Sequence, residues 1–356
     1  MDVPYLQKIA ASSDWKAKSA KIMGRLAEFS RLFKTKKYGK PDDLFFAIED
    51  LPSLGKEYWF LHFCAPPNDE QVVLTLGRSV DSVKVNEASV DFEERQGSAT
   101  CAAVCWFYSG KKRVVFDSVA AVRVERSGAS RSLIAQNGAD QISVRGSYPD
   151  FEVELSKGGR AVFSARATKP KKGIPYEMVH LLRTPFAPRL GAVMINYYFD
   201  FAGELEGKKL SGKAYLQKVV AVLPLAPWNW VRLHFGNGAA LDFFAANPLG
   251  EKAGMHFDCN DYFEINGRRV RIRELRLKSY LEGERRLWVL SGKNFFAAME
   301  TYSMQPFIMR QKTTFRYDEY LVRVRSFALR DGKREYSLAD LGGGVGIVED
   351  AYGFLL

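Results

Sequence analysis

Chemistry in this chain would have to come from a few aromatic strands with polar side chains set among them. In Pro227-Trp-Asn-Trp-Val-Arg-Leu-His-Phe235, the two-residue period of a strand puts Trp228, Trp230, Arg232 and His234 on one face. Asn229, Val231, Leu233 and Phe235 take the other, which reads as ordinary barrel core. Large flat rings beside two polar donors suit a lumen or an interdomain cleft that holds an amphipathic ligand. An equally open alternative is that the tryptophans seal a domain interface and Arg232 pairs with a carboxylate. Tyr58-Trp59-Phe60 followed by His62 repeats the aromatic-plus-histidine pattern near the start of the first β-rich half.

Other chemistry is excluded by what these residues lack. The four histidines, His62, His180, His234 and His256, are scattered without HExxH or paired metal spacing. Cys101-x-x-x-Cys105 has no second cysteine pair, and Cys64 and Cys259 lie far off, so reduced thiols and no metal site are expected. Gly342-Gly-Gly-Val-Gly346 lacks the Lys-Ser/Thr of a phosphate-binding loop, and no Gly-x-Ser-x-Gly elbow exists. No cofactor is implied.

The elements that must position these residues are strands. Tyr58 to Phe63, Val72 to Leu76, Ala102 to Tyr108 and Val119 to Val124 are short, β-branched or aromatic runs broken by glycine turns. Phe151 to Leu155 and Ala161 to Phe163 flank Gly158-Gly159, a strong hairpin signal. Asn266-Gly267 and Asp331-Gly332 mark tight turns in the second half, and Arg271 to Leu277 alternates charge with aliphatic residues. Fifteen to twenty such runs with no helical period between them exclude parallel α/β folds and favour antiparallel meanders. Thr168-Lys-Pro-Lys-Lys-Gly-Ile-Pro175 breaks the pattern and reads as a linker or a long crossover. The expected layout is a basic helical segment at 1–40, a first barrel at 41–168, a linker at 169–176 and a second barrel at 177–356.

Tyr58-Trp59-Phe60, Gly212-Lys-Ala-Tyr215, Trp228-Asn-Trp230 and Asn237-Gly238, set in two β-rich halves, resemble the two-domain lipocalin-like family. That family includes carotenoid hydratases (hydroxyneurosporene synthase), attachment-type proteins and fungal cyclising enzymes. The resemblance implies two tandem lipocalin-like antiparallel β-barrels and a hydrophobic, isoprenoid- or lipid-like ligand held in a barrel lumen or interbarrel cleft. Tyr58, Trp59, His62, Tyr215, Trp228, Trp230, Arg232 and His234 would line that site. Hydratase or cyclase chemistry is the catalytic version of the same reading. The hydratases carry a Gly-Tyr-x-Asp-His-like stretch, whereas Tyr215 is followed here by Leu216-Gln217-Lys218. Protonating an alkene needs a carboxylic acid kept neutral by apolar surroundings, with π faces for the cation that follows. Asp200, within Tyr197-Tyr-Phe-Asp-Phe201, is the first candidate, and Asp242 and Glu349 are the others; each could also be a salt-bridged or solvent-facing carboxylate.

Composition sets the outer limits. At 47% hydrophobic and 13% aromatic, the 356 residues can build large cores, which excludes a disordered chain. Val219 to Trp230, the longest uncharged apolar run, is broken by two prolines and falls short of the roughly 18 residues of a membrane span. Asp2 and Lys8 stand where a secretory signal would be apolar, so a cytoplasmic protein is expected. The net charge is +11, and residues 1–40 hold ten Lys and Arg against three acids. With Ile22, Leu26, Phe29 and Phe33 on one helical face, this segment could dock on an anionic membrane or a partner, or simply pack on a sheet. The competing function is therefore a non-enzymatic interaction protein, and nucleic acid is not an expected partner.

Overall fold

The computed structural model describes residues 38–356 apart from 53, 67, 92–93, 96–97, 128–129, 172, 180–190, 223–224, 226, 247–254, 257–260, 273 and 356. The expected amphipathic helix at 1–40 lies almost wholly outside the described residues. Of the described residues 74% are in strands and 3% in helices, so the class is all-β.

A short helix, α1 (Pro41–Phe45), precedes the first sheet. Its strands begin with β1 (Gly55–Cys64) and β2 (Gln71–Ser79); next in the chain come the short β3 (Val83–Val85) and β4 (Ala88–Val90), which belong to the second sheet, and β5 (Glu94–Arg95). A meander then runs through β6 (Ser98–Tyr108), β7 (Arg113–Ser127), β8 (Ser130–Asn137), β9 (Asp140–Ser147), β10 (Asp150–Lys157) and β11 (Arg160–Thr168). After β12 (Tyr176–Val179) come the long β13 (Gly191–Leu205) and β14 (Lys208–Val222). The hydrogen-bonded order β11-β10-β9-β8-β7-β6-β2-β1-β14-β13 closes on itself through β11–β13 pairing, which makes a barrel of ten antiparallel strands.

The expected division at 169–176 is not where one sheet ends. Strands on both sides of it belong to the same barrel, since β13 pairs with β11 and β14 pairs with β1. The chain leaves the barrel only after Val222, the end of β14.

The second sheet starts with β15 (Trp228–Phe235), β16 (Ala240–Ala246), β17 (Met255–His256), β18 (Tyr262–Ile265) and β19 (Arg268–Arg271). It continues with β20 (Arg276–Glu282), β21 (Arg285–Gly292), β22 (Phe295–Arg310), β23 (Thr314–Asp331) and β24 (Arg334–Ser337). One turn of helix, α2 (Leu338–Leu341), leads into β25 (Gly344–Gly353). The order β19-β18-β16-β15-β25-β23-β22-β21-β20 does not return to its start, so the second expected barrel is an open sheet. From the first half, β3 crosses over to pair with the end of β22.

Three layers of side chains hold the fold. Trp59, Phe63, Phe107, Phe151, Phe163, Tyr197 and Phe199 fill the barrel, and Phe45 and Phe46 pack against them from α1 and the residue after it. A buried ionic cluster sits with them: Glu57 accepts from Arg78 Nε at 2.6 Å, from Lys218 Nζ at 2.5 Å and from the Glu49 N–H at 3.1 Å. A cavity of about 180 Å³ opens at one end of the barrel, lined by Ala103, Cys105, Ala120 and Ala135 together with Asn137, Asp140 and Lys157. A barrel lumen that holds a lipid-sized guest, one of the two expected sites, is therefore replaced by a plugged core. Phe235, Phe263, Phe295 and Phe327 build a second core on one face of the open sheet. The third layer joins the two sheets and contains Phe60, Val73, Trp106, Tyr215, Trp230, Tyr317 and Ile347.

Two glycines show how closely neighbouring strands approach. A Cβ on Gly346 would lie 2.0 Å from the Arg232 carbonyl oxygen, and one on Gly212 would lie 2.1 Å from that of Cys64. Only glycine lets these backbones meet.

Candidate functional site

Alternation decides which predicted residues meet. On β1, Phe60 and His62 face outward to the second sheet, while Trp59, Leu61 and Phe63 face the barrel interior. Trp59 is thereby separated from the rest of the expected ligand set. Its Nε1–H donates to the Phe45 carbonyl at 2.8 Å, and Lys218 Nζ lies 3.2 Å from its ring centre. On β15, Trp228, Trp230, Arg232 and His234 all turn toward the barrel wall, where Tyr215 and Phe60 meet Trp230 at 5.4 and 5.6 Å between ring centres. Six of the eight expected residues thus belong to one inter-sheet layer, and Tyr58 packs on Ala192, Val219 and Ala221 beside it, close enough for Glu349 to act on its hydroxyl.

Three polar groups run along this layer. At one end, Gln71 Nε2–H donates to the Gly346 carbonyl at 3.0 Å and reaches the Tyr302 hydroxyl at 2.5 Å. Its oxygen therefore faces His62 Nε2 at 2.6 Å, which makes that nitrogen the donor. Burial first, and Arg232 second, push the His62 imidazole down to about 4. The His234 ring lies 6.3 Å from it, and its two nitrogens have no hydrogen-bond partner among the described residues. Burial and the neighbouring Arg232 hold His234 well below its ordinary value, so it too is neutral.

In the middle, Arg232 pairs with Asp242, which also accepts from Trp230 Nε1–H at 2.9 Å. The guanidinium carbon stands 4.2 Å over the Tyr215 ring and 4.7 Å from that of Tyr198. The sequence alternative of a sealed interface with a paired arginine is what this part of the layer looks like. Asp242 is accordingly a salt-bridged carboxylate rather than a free acid.

At the far end the register sets Trp230 opposite Glu349, and Glu349 opposite Glu319, in one row across β15, β25 and β23. Glu319 is fully buried and Glu349 is 7% exposed. Trp228 Nε1–H donates to Glu349 Oε2 at 2.9 Å, and Tyr317 O–H donates to Glu319 Oε1 at 2.6 Å with its oxygen near Glu349 as well. Trp106 reaches Glu319 from the barrel wall. Burial, then repulsion from Glu319, push the Glu349 carboxyl up to about 8, against the pull of its Trp228 and Tyr317 hydrogen bonds. At neutral pH this acid keeps its proton.

Asp200 has a different environment from the one its sequence neighbours suggest. Tyr197, Phe199 and Phe201 point into the barrel, and Asp200 points out, paired with Lys213 and accepting the Lys171 N–H at 3.0 Å. Its side chain is 29% exposed, so it sits beside an ammonium and water instead of in an apolar pocket. Glu319, Tyr317 and Gln71 were not singled out in the sequence. The available signal was a carboxylate within an otherwise apolar face, as in Val345, Ile347, Glu349, Ala351 and again in Phe315, Tyr317, Glu319, Leu321.

No group of three or more metal-binding side chains occurs among the described residues. Nor is any helix among them long and apolar enough to cross a membrane.

No family model matches the chain, and no curated protein does. Among solved structures it is similar to an AttH-like protein from Nitrosomonas europaea at 11% identity, covering 89% of this chain and 97% of that one with a TM-score of 0.50. It also overlaps CghA with Sch210972 at 10% identity, 84% and 88% coverage and a TM-score of 0.48. Kievitone hydratase from Nectria haematococca overlaps it at 11% identity, 84% and 89% coverage and a TM-score of 0.42. The likeness to the AttH-like structure is one of fold and extends over nearly the whole of both chains.

Proposed function

We propose that the chain binds a small, largely apolar molecule, isoprenoid- or lipid-like, between its barrel and its second sheet, and that Glu349 protonates it. The observation that carries this reading is the buried Glu349 carboxyl, bonded by Trp228 Nε1–H, with Glu319 beside it and Trp230 directly across the strand pair; burial and Glu319 push it up to about 8. The half-buried rings of Tyr58 and Trp228 form the approach to it.

The chemistry follows from the groups present. The Glu349 proton forms a C–H bond with the π electrons of an alkene, and the neighbouring carbon becomes cationic. Indole and phenol faces attract that cation by about 1–2 kcal/mol each when water is excluded. A water oxygen then adds, and its proton returns to the Glu349 carboxylate, so that water is added overall. If a second alkene in the same molecule attacks instead, a ring closes and a C–H proton goes back to the carboxylate. Glu319 raises the acid's affinity for its proton and Tyr317 keeps the pair in register.

The test uses short isoprenoid alkenes in deuterated water. Wild type is expected to retain one by native mass spectrometry and to place deuterium on carbon. Glu349→Gln should keep the binding and lose the deuterium, while Trp230→Ala should lose both. Deuterium incorporation by Glu349→Gln at the wild-type rate would remove Glu349 from the mechanism. Failure of every alkene to bind would remove the apolar site.

A further inference from the structure

The second sheet ends on an open edge. β20 is its last strand and pairs only with β21 among the described residues, so the backbone N–H and C=O groups along its outer side meet no other strand. Six of its seven residues are exposed. Leu281, at 72%, and Tyr280, at 52%, are the two most exposed large hydrophobic side chains among the described residues. An edge of this length with apolar side chains is a template for another strand.

The opposite edge of the sheet is protected. On β19, Arg268 pairs with Asp331, and Arg269 pairs with Glu177 and Glu264. Antiparallel pairing of β19 with its own copy would also set arginine against arginine, and like charges directly opposite repel.

The β20 sequence, Arg276-Leu-Lys-Ser-Tyr-Leu-Glu282, is instead complementary to its own reverse. A two-fold axis through Ser279 places Arg276 opposite the partner's Glu282, Leu277 opposite the partner's Leu281 and Lys278 opposite the partner's Tyr280. The two-residue period keeps the ionic and Lys–Tyr pairs on one face and the leucines on the other. Symmetry repeats each contact, so every one of these pairs forms twice. Within the chain, Arg276 and Glu282 have no ion-pair partner among the described residues. Arg285, directly across the hairpin from Glu282, pairs with Glu300 instead. Opposite charges and an ammonium over a phenol ring both favour such cross-strand pairs.

We propose that the chain forms a two-fold dimer through β20, with the two open sheets continuing as one across the interface. The partner is a second copy because the edge matches itself in charge, in apolar side chains and in length. The paired surface is small, which sets the affinity in the micromolar range.

Sedimentation velocity of the full chain from about 1 to about 200 μM should show a monomer–dimer equilibrium with a dissociation constant between about 1 and about 100 μM. Arg276→Glu and Glu282→Arg each put two like-charge pairs into the ladder and should weaken the dimer at least about tenfold. Carrying both substitutions restores opposite charges and should return the affinity to within about threefold of wild type. Both side chains are exposed, so far-ultraviolet dichroism should not change. Ser279→Cys should join to its own copy through a short bismaleimide. Arg276→Cys should not, because its two copies stand six residue steps apart, about 20 Å. A monomer throughout the concentration range would overturn the proposal, and so would a dimer that neither single charge reversal weakens. A double variant no tighter than either single one, or cross-linking through position 276 in place of 279, would overturn the pairing through Ser279. Glu349 sits four strands away on β25, so Glu349→Gln should dimerise like wild type and the two readings fail or succeed separately.

Discussion

Replacing Glu349 by Gln should change how stability depends on pH, and the size of the change follows from its surroundings. Burial and Glu319 carry the carboxyl from an ordinary value of 4.5 to about 8. Between those two values the folded protein holds a proton that the unfolded chain has released. The stabilising contribution is therefore full below about pH 4.5, is lost as pH rises through about 8, and is flat above that. At 1.36 kcal/mol per pH unit the whole span is worth about 5 kcal/mol as a ceiling, and relaxation around the charge lowers it. Gln imitates the neutral acid and cannot lose a proton. Urea denaturation should thus give the two proteins similar stability near about pH 5, and wild type should be less stable than Glu349→Gln by at least about 2 kcal/mol near about pH 9. Groups that do not interact with Glu349 cancel in the difference, whereas Glu319 titrates as a pair with it, so the difference reports the pair. A difference that is the same at both pH values, or one of opposite sign, would refute the reasoning.

Arg232→Ala should cost about 3–5 kcal/mol in urea denaturation, because it leaves Asp242 charged and buried at the sheet interface; joint replacement of both by apolar residues should cost clearly less. Glu57→Ala should destabilise the barrel by a similar amount of about 3–5 kcal/mol, since it leaves Lys218 and Arg78 uncompensated in the barrel interior. Gly346→Ala places a methyl 2.0 Å from a backbone oxygen, so a lowered melting temperature and altered near-ultraviolet dichroism are expected. Residues 1–40, with their ten basic side chains, should carry any binding to anionic vesicles. Cosedimentation that survives their deletion would assign that binding elsewhere.

Local features of the sequence predict local structure well. Gly158-Gly159 does turn β10 into β11, with φ of 56° and 76°, and Asn266-Gly267 turns β18 into β19 with φ of 53° and 75°. The face of Trp228, Trp230, Arg232 and His234 is also the one that meets the barrel. Sheet membership was harder to read, because it depends on partners far apart in the chain. The proline- and lysine-rich break at 169–176 marks an interruption between strands, but the decisive fact is that Gly55 to Cys64 pairs with Lys213 to Val222. Closure of the second sheet would require β19 and β20 to meet, which no local pattern encodes. The surroundings of the candidate carboxylates were hidden for a related reason. Asp200 has aromatic neighbours in sequence that point the opposite way, whereas Glu349 acquires its own from β15 and β23.

The state of the Glu349 proton can be measured directly. Difference infrared spectra of wild type against Glu349→Gln, taken from about pH 5 to about pH 10, report the protonated carboxyl C=O stretch of this side chain alone. The account predicts a band that persists at neutral pH and disappears with a midpoint near about 8. A band that is gone by about pH 6 would mean an ionised Glu349 and would contradict an acid poised between the two sheets.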